Sequence, residues 1–393
     1  MKKISIFLSL SLILFAQTAS DFKKQQMIDF QKSKSEFMFY KDNQESEFKS
    51  YKKAQIRVYN EYKKSISKYW DKPKLSTKTT WVLYTQDKKT RTDVDFKNET
   101  IKLQTIASSK NDAKIKLQNA LKKVITIDTK RAYEEDPLEK KLSEIKKPSN
   151  ILDAKIEPEP ILSTIIFDKT PTKASVKNYL NEHVKKDNIK FKKSKKIKNK
   201  NVYTLNIKMP KNSVIKRSKI YYSEVKKQSN KQKIPLSLIF AVMHSESSFN
   251  PRARSHVPAF GLMQIVPSTA GIDSYIYLYN KKRVVSASYL YNSTNNITMG
   301  SAYLHILYYK YLKDIKNPQS RLYCTIAAYN TGAGNVARAF IGNNNIKKAS
   351  LLINTMSSQE VYKRLQRDLK YSETKRYLKK VLTRIDIYHN LYS

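Results

Sequence analysis

The stretch AVMHSESSFNP, residues 241–251, places one carboxylate at the end of an apolar run. Glu246 lies seven, four and three residues after Ile239, Val242 and Met243, so on a helix it extends their apolar stripe. A carboxyl group on such a face is partly desolvated, which disfavours its ionised form and raises its pKa. Held protonated near neutral pH, it could act as a general acid. The alternative on spacing alone is a glutamate that swings out to solvent at the helix end.

From Ser247 to Ile272 the sequence has no Asp or Glu. Glycosidic cleavage usually uses two carboxylates across the bond, so this segment supplies an acid without a neighbouring base. Cleavage remains open to such a segment if the substrate supplies its own nucleophile, such as a sugar hydroxyl that closes an internal ring. GLMQIVPSTAG, 261–271, reads as a short apolar helix opened by Gly261 and stopped before Pro267. Its Gln264 has an amide suited to sugar hydroxyls or N-acetyl groups. AAYNTGAGNV, 327–336, puts Tyr329 and Asn330 at a helix end ahead of two glycines that allow close backbone approach. Singly, a residue such as Gln264 is more often a cap or a surface residue and one such as Tyr329 more often core, so their weight lies in combination.

The elements that hold these residues fall into two groups. After Lys2 and Lys3, an apolar run from Ile4 to Ala16 and small residues around Ala19 and Ser20 predict a signal peptide over 1–20. A retained anchor is the competing reading. An N-terminal α+β domain is expected over 21–212. Within it, 22–70 has helical periodicity, and TTWVLYT, TRTDVDF and TIKLQTIA predict a three-stranded meander. Helices near 110–123 and 172–185 and a strand at NVYTLNIKMP complete this domain. The Glu-, Lys- and Pro-rich stretch 135–160 reads as an exposed loop. KKDNIKFKKSKKIKNKN, 185–201, reads as a solvated hairpin, with polyanion contact as the alternative. From 213 to 393 an all-α domain is expected, with apolar stripes at Leu304, Leu307, Tyr308, Tyr311 and Leu312 and again from Tyr377 to Ile385.

Of the 393 residues 40% are apolar, including 27 Tyr and 14 Phe, which suits a globular chain. The formal charge of +43 suits a polyanionic partner, be it nucleic acid, cell wall or an anionic membrane face, or else reflects compositional drift in a chain where Lys, Asn, Ile and Tyr are all abundant. Lysines run throughout without an arginine-rich reading helix, and export would remove the protein from nucleic acid. Cys324 is the single cysteine, which excludes an internal disulfide and leaves no cysteine beside the signal segment for lipid attachment. The five histidines show no ligand spacing, and no phosphate-loop or dinucleotide pattern is present. No cofactor or metal is expected.

In order, ESSFNP, GLMQIVPSTAG, AYNTGAGNV and SETKRYLKKV resemble the motifs of the lytic transglycosylase family, which has a goose-type lysozyme-like fold. The resemblance covers about 215 to the end and, more weakly, the N-terminal domain. It implies a lysozyme-like catalytic domain with Glu246 as the catalytic acid. Ser255, Gln264, Tyr329, Asn330, Glu373 and Tyr377 would bind substrate. It further implies non-hydrolytic cleavage between N-acetylmuramic acid and N-acetylglucosamine, leaving 1,6-anhydromuramic ends. The implied partner is peptidoglycan, in the periplasm, with peripheral association with the outer membrane or an envelope complex in place of a lipid anchor. LYNSTNNI, 290–297, departs from the family's Phe–Asp–Pro before Asn–Ile, so a rearranged loop is expected there. The alternatives are a lysozyme-type hydrolase and a non-catalytic wall-binding protein.

Overall fold

The computed structural model describes residues 46–393 except 168, 256 and 257. The signal segment and the first part of the 22–70 helix lie outside the described residues. Chain contacts divide the molecule into two compact units, 46–59 with 142–149 and 60–141 with 150–393. The first is helical over 46–59. The second has two hydrophobic clusters, one around a sheet and one among helices.

The expected meander is present as β1 (Thr80–Tyr84), β2 (Thr90–Asp95) and β3 (Thr100–Ala107). The Ile151–Leu152 strand is β4, the lysine-dense hairpin supplies β5 (Lys190–Lys193), and β6 is Asn201–Lys208. The main sheet is antiparallel in the order β1-β2-β3-β6-β5. Its alternation sorts side chains by face. Trp81, Val94, Ile101, Leu103, Tyr203 and Leu205 pack with Leu117 and Leu121 of α1 (Lys110–Thr126). Ser109 caps α1 by accepting from the Asp112 N–H at 3.2 Å, as an N-cap serine should.

The stretch 135–160 corrects the expectation of an exposed loop. It forms a helix at Pro137–Ser143, and β4 pairs in parallel with β7 (Val284–Val285). Leu138, Glu139 and Ile156 are buried. One of the charges that made the segment look solvated is paired within the fold: Glu139 lies 3.3 Å from Arg254 and 3.6 Å from Arg252.

The helical cluster is built on α2 (Leu236–Ser247), whose residues Leu238 to Met243 are all buried. It lies along α3, the Ser372–Tyr392 helix, where Phe240 meets Tyr392 at 4.7 Å and Tyr388 at 5.3 Å between ring centroids. The helix Ser293–His305 begins at Asn292, whose side chain accepts from the Asn295 N–H at 3.0 Å; in the LYNSTNNI segment an asparagine thus performs the capping. The stripe from Leu304 passes into a π-helical turn at Ile306–Tyr311. That widened turn keeps Leu307 inside and sends Tyr311 outward to donate to Asp273 at 2.9 Å.

Candidate active site

Glu246 sits in the last turn of α2 and is 7% exposed. The helix stops abruptly behind it, because Ser248 and Phe249 both adopt left-handed backbone, with φ of 53° and 60°. Two such non-glycine residues in succession are costly and persist only where packing enforces them. Phe249 is fully buried against Phe240 and Tyr388, and the Ser247 hydroxyl donates to the Leu262 carbonyl at 2.7 Å. The chain therefore turns from the acid straight into the opposite wall of a cleft.

That wall is residues 259–266, and here the expected short helix is overturned. Phe260 bridges to Ile265 across a tight turn, with Gly261 at φ 74° and Gln264 at φ 51°. A regular helix starts only at Ile272, after a π-helical turn over Pro267–Gly271. The turn is fixed by Asn296. Its Nδ2 donates to the carbonyls of Phe260 and Leu290, each at 2.8 Å, and its Oδ1 accepts from the Met263 N–H at 2.7 Å. A side chain at Gly261 would collide with this asparagine, since a Cβ there falls 2.3 Å from Nδ2.

Glu246, Ser255, Gln264, Tyr329, Asn330 and Glu373 line one cleft of about 860 Å³. Ser255 accepts the Ala259 N–H on its hydroxyl at 3.1 Å, closing the loop that carries it. Gln264 donates through Nε2 to the Gly261 carbonyl at 3.0 Å, while its Oε1 is buried without a partner, an acceptor left for a ligand donor. The Tyr329 hydroxyl donates to the Met263 carbonyl at 2.8 Å, tying the helix Pro318–Thr331 to the turn. Asn330 accepts from the Thr374 hydroxyl at 2.7 Å on its Oδ1. Tyr377 does not line the cleft. It is buried beneath, where its hydroxyl interacts with the Glu246 carboxyl and has no bond of ordinary geometry.

Burial pushes the Glu246 carboxyl up to about 7, and the Glu373 charge adds to the rise; Tyr377 and Lys78 pull the other way. Glu373 behaves oppositely. Its hydrogen bond to Lys78, at 2.9 Å, and that lysine's charge hold it below the ordinary carboxylate range. The cleft thus contains one carboxyl group kept protonated and one kept ionised. Sequence reading missed Lys78, Asn335 and Tyr371 in the lining. Asn335 falls within the quoted AAYNTGAGNV motif and was open to notice. Lys78 lies ahead of β1, far from every motif, and no local signal marks it.

The Transglycosylase SLT domain model matches residues 223–352. Membrane-bound lytic murein transglycosylase C of Photorhabdus laumondii is 47% identical over 162 residues, 41% of this chain and 44% of that protein. The protein of the same name from Klebsiella pneumoniae subsp. pneumoniae is 34% identical over 305 residues, 77% of this chain and 80% of that one. Among solved structures, the 70 kDa soluble lytic transglycosylase of Escherichia coli is 26% identical, covering 44% of this chain and 24% of that chain at a TM-score of 0.34. The cleft lies mostly within the matched domain, and the Klebsiella likeness runs on through most of the sheet region as well, so the chain belongs to the lytic murein transglycosylase family.

Proposed function

We propose that the cleft cleaves the glycan strand of peptidoglycan through Glu246 acting first as acid and then as base. The protonated carboxyl donates to the glycosidic oxygen as the bond from that oxygen to muramic C1 breaks and positive charge develops at C1. The carboxylate so formed takes the proton of the muramic C6 hydroxyl, whose oxygen bonds to C1. The proton returns to Glu246, no water is consumed, and the new end is a 1,6-anhydro ring. The supporting observation is the burial of Glu246, which holds the proton at about pH 7. Gln264 and Asn330 supply amides to the sugar, and positioning the C6 hydroxyl contributes much of the rate.

A second reading rests on Glu373. An ionised carboxylate in the same cleft could activate water, giving hydrolysis. The mass of muropeptides released from purified sacculi separates the two, since hydrolysis adds one water per cut and ring closure adds none. Anhydro ends from the intact chain that vanish in Glu246→Gln support the first reading, and hydrated ends overturn it. The relatives are named membrane-bound, and the reading extends to action in the cell envelope, in the periplasm or beside the outer membrane. Among the described residues no helix is long and apolar enough to cross a membrane.

A further inference from the structure

The face of the main sheet turned away from α1 is mixed: Val82, Tyr84, Ile106 and Val202 lie on it, and Trp70 stacks over its Arg91. By register it presents Arg91 and Asp93 of β2, Lys102 and Gln104 of β3, Thr204 of β6 and Lys192 of β5. The segment following Trp70 walls it, enclosing a recess of about 320 Å³ lined by six lysines, Arg91 and one acid, Asp71. That size is at the lower end of the ~300–1,000 Å³ found for small-ligand sites.

The fixed and free charges in the recess divide cleanly. Arg91 is buried, stacks over Trp70 at 4.2 Å, donates through Nε and Nη2 to Gln104 Oε1 and through Nη1 to the Lys72 carbonyl. Lys74 is bound to Asp93 at 2.5 Å. Lys102, Lys192 and Lys193 have no ion-pair partner among the described residues. Lys102 is half-buried; burial, Lys74, Arg91 and Lys192 pull its pKa below the ordinary lysine value, against the raising charge of Asp93 across the strand pair. Several unpartnered like charges gathered at one recess cost stability unless an anion visits them.

We infer that this recess is a second substrate site, which binds the free carboxylates of peptidoglycan stem peptides outside the cleavage cleft. The inference rests on the peptidoglycan reading of that cleft. A concave recess takes a chain end more readily than the plane of a bilayer. The sole guanidinium is already engaged, so point-charge ammonium groups remain, without the open fork that grips phosphate in two bonds. The segment Trp70 to Lys78 serves both places, since Lys72 and Lys74 wall the recess while Lys78 reaches Glu373 in the cleft. Four residues of chain span at most about 14 Å, so the two sites begin within one short segment of each other.

The test uses the full chain in the Glu246→Gln background, with and without Lys102→Gln and Lys192→Gln together, and Lys192→Gln alone as an exposed edge-strand change. Cosedimentation with intact sacculi should fall about tenfold in the double variant and less in the single one. Amidating the sacculus carboxylates should lower binding of the parent chain to the same level. Unchanged sacculus binding by both variants overturns the inference. So does an equal loss on glycan strands stripped of their peptides, or a loss seen only with anionic phospholipid vesicles. Product analysis with native Glu246 is read separately: if stripped strands give no anhydro ends, the cleavage reading fails, whatever the sedimentation shows.

Discussion

The cleavage cleft and the sheet recess handle charge in opposite ways. In the cleft, one carboxyl is buried at the end of an apolar helix, and a second lies exposed in an ion pair with Lys78. Desolvation and the neighbouring charge then hold the two in different protonation states at one pH. In the recess, lysines from the sheet and from the segments beside it gather at one rim and stay hydrated except for half-buried Lys102. Proton chemistry needs a group whose charge is costly. Anchoring needs charges that remain available. One fold provides both because the helix end that carries Glu246 is dry while the lysines at the rim of the recess stay in water.

The largest expected effect breaks the first half of this contrast. Glu246→Gln should lower release of cleaved muropeptides by about 10²–10⁴, the usual contribution of a positioned acid–base group. The same change should stabilise the protein at alkaline pH. The folded-state pKa is raised from 4.5 to about 7, so the native chain holds this proton more tightly than the unfolded chain. The penalty for the buried charge is absent below about 4.5, grows between the two values and is complete above about 7. The gap corresponds to about 3 kcal/mol. Denaturant unfolding at pH 8 should favour the variant by up to that amount, with little difference at pH 4. A variant no more stable at pH 8 would mean that the carboxyl is not desolvated.

Glu139→Ala should cost up to about 3–5 kcal/mol, because it removes one of the two acids that balance buried Arg252. Arg252 is 3% exposed, lies over the Tyr291 ring at 3.9 Å, and is balanced by Glu139 at 3.6 Å and by the charge of buried Asp136. Chemical denaturation reads this loss directly. Next, Gly300→Ala should cost about 1–3 kcal/mol by overpacking. A Cβ there would fall 2.3 Å from Met263 Sδ and 2.8 Å from its Cβ, pressing on the turn that Asn296 and Tyr329 fix. A thermal midpoint equal to that of the parent would show that the turn is softer than its hydrogen bonds imply.

These residues also mark what was legible in the sequence. Glu246 could be found because its apolar neighbours are three, four and seven residues away on the same helix. The meander could be found because alternation and turn residues are local signals. The turn at 261–266 could not: its apolar run fits a helix, and what decides against it is Asn296, some thirty residues on. The burial of Leu138 and Glu139 was hidden for a related reason. A glutamate among lysines reads as solvated until the arginines that pair with it are brought up by the fold. The recess needed strand register, which places Lys102 beside Asp93 and Asn206 and is not fixed by composition.

The smallest expected effect joins the two regions through the segment between them. Lys78→Met removes the charge that favours ionised Glu246 and also frees Glu373, whose negative charge opposes it. Both changes raise the Glu246 pKa, so the alkaline limb of kcat/KM should move to higher pH. Lys78 and Glu373 are 39% and 64% exposed at their side chains, so solvent screens the pair and its share is at most about 1 kcal/mol. The limb should therefore shift by a few tenths of a pH unit and shrink towards zero in high salt. A shift to lower pH would reverse the assigned influence of Lys78. A shift that survives high salt would mean that Lys78 acts by shaping the cleft, and the contrast between a dry acid and a wet ion pair would then have to be redrawn around packing.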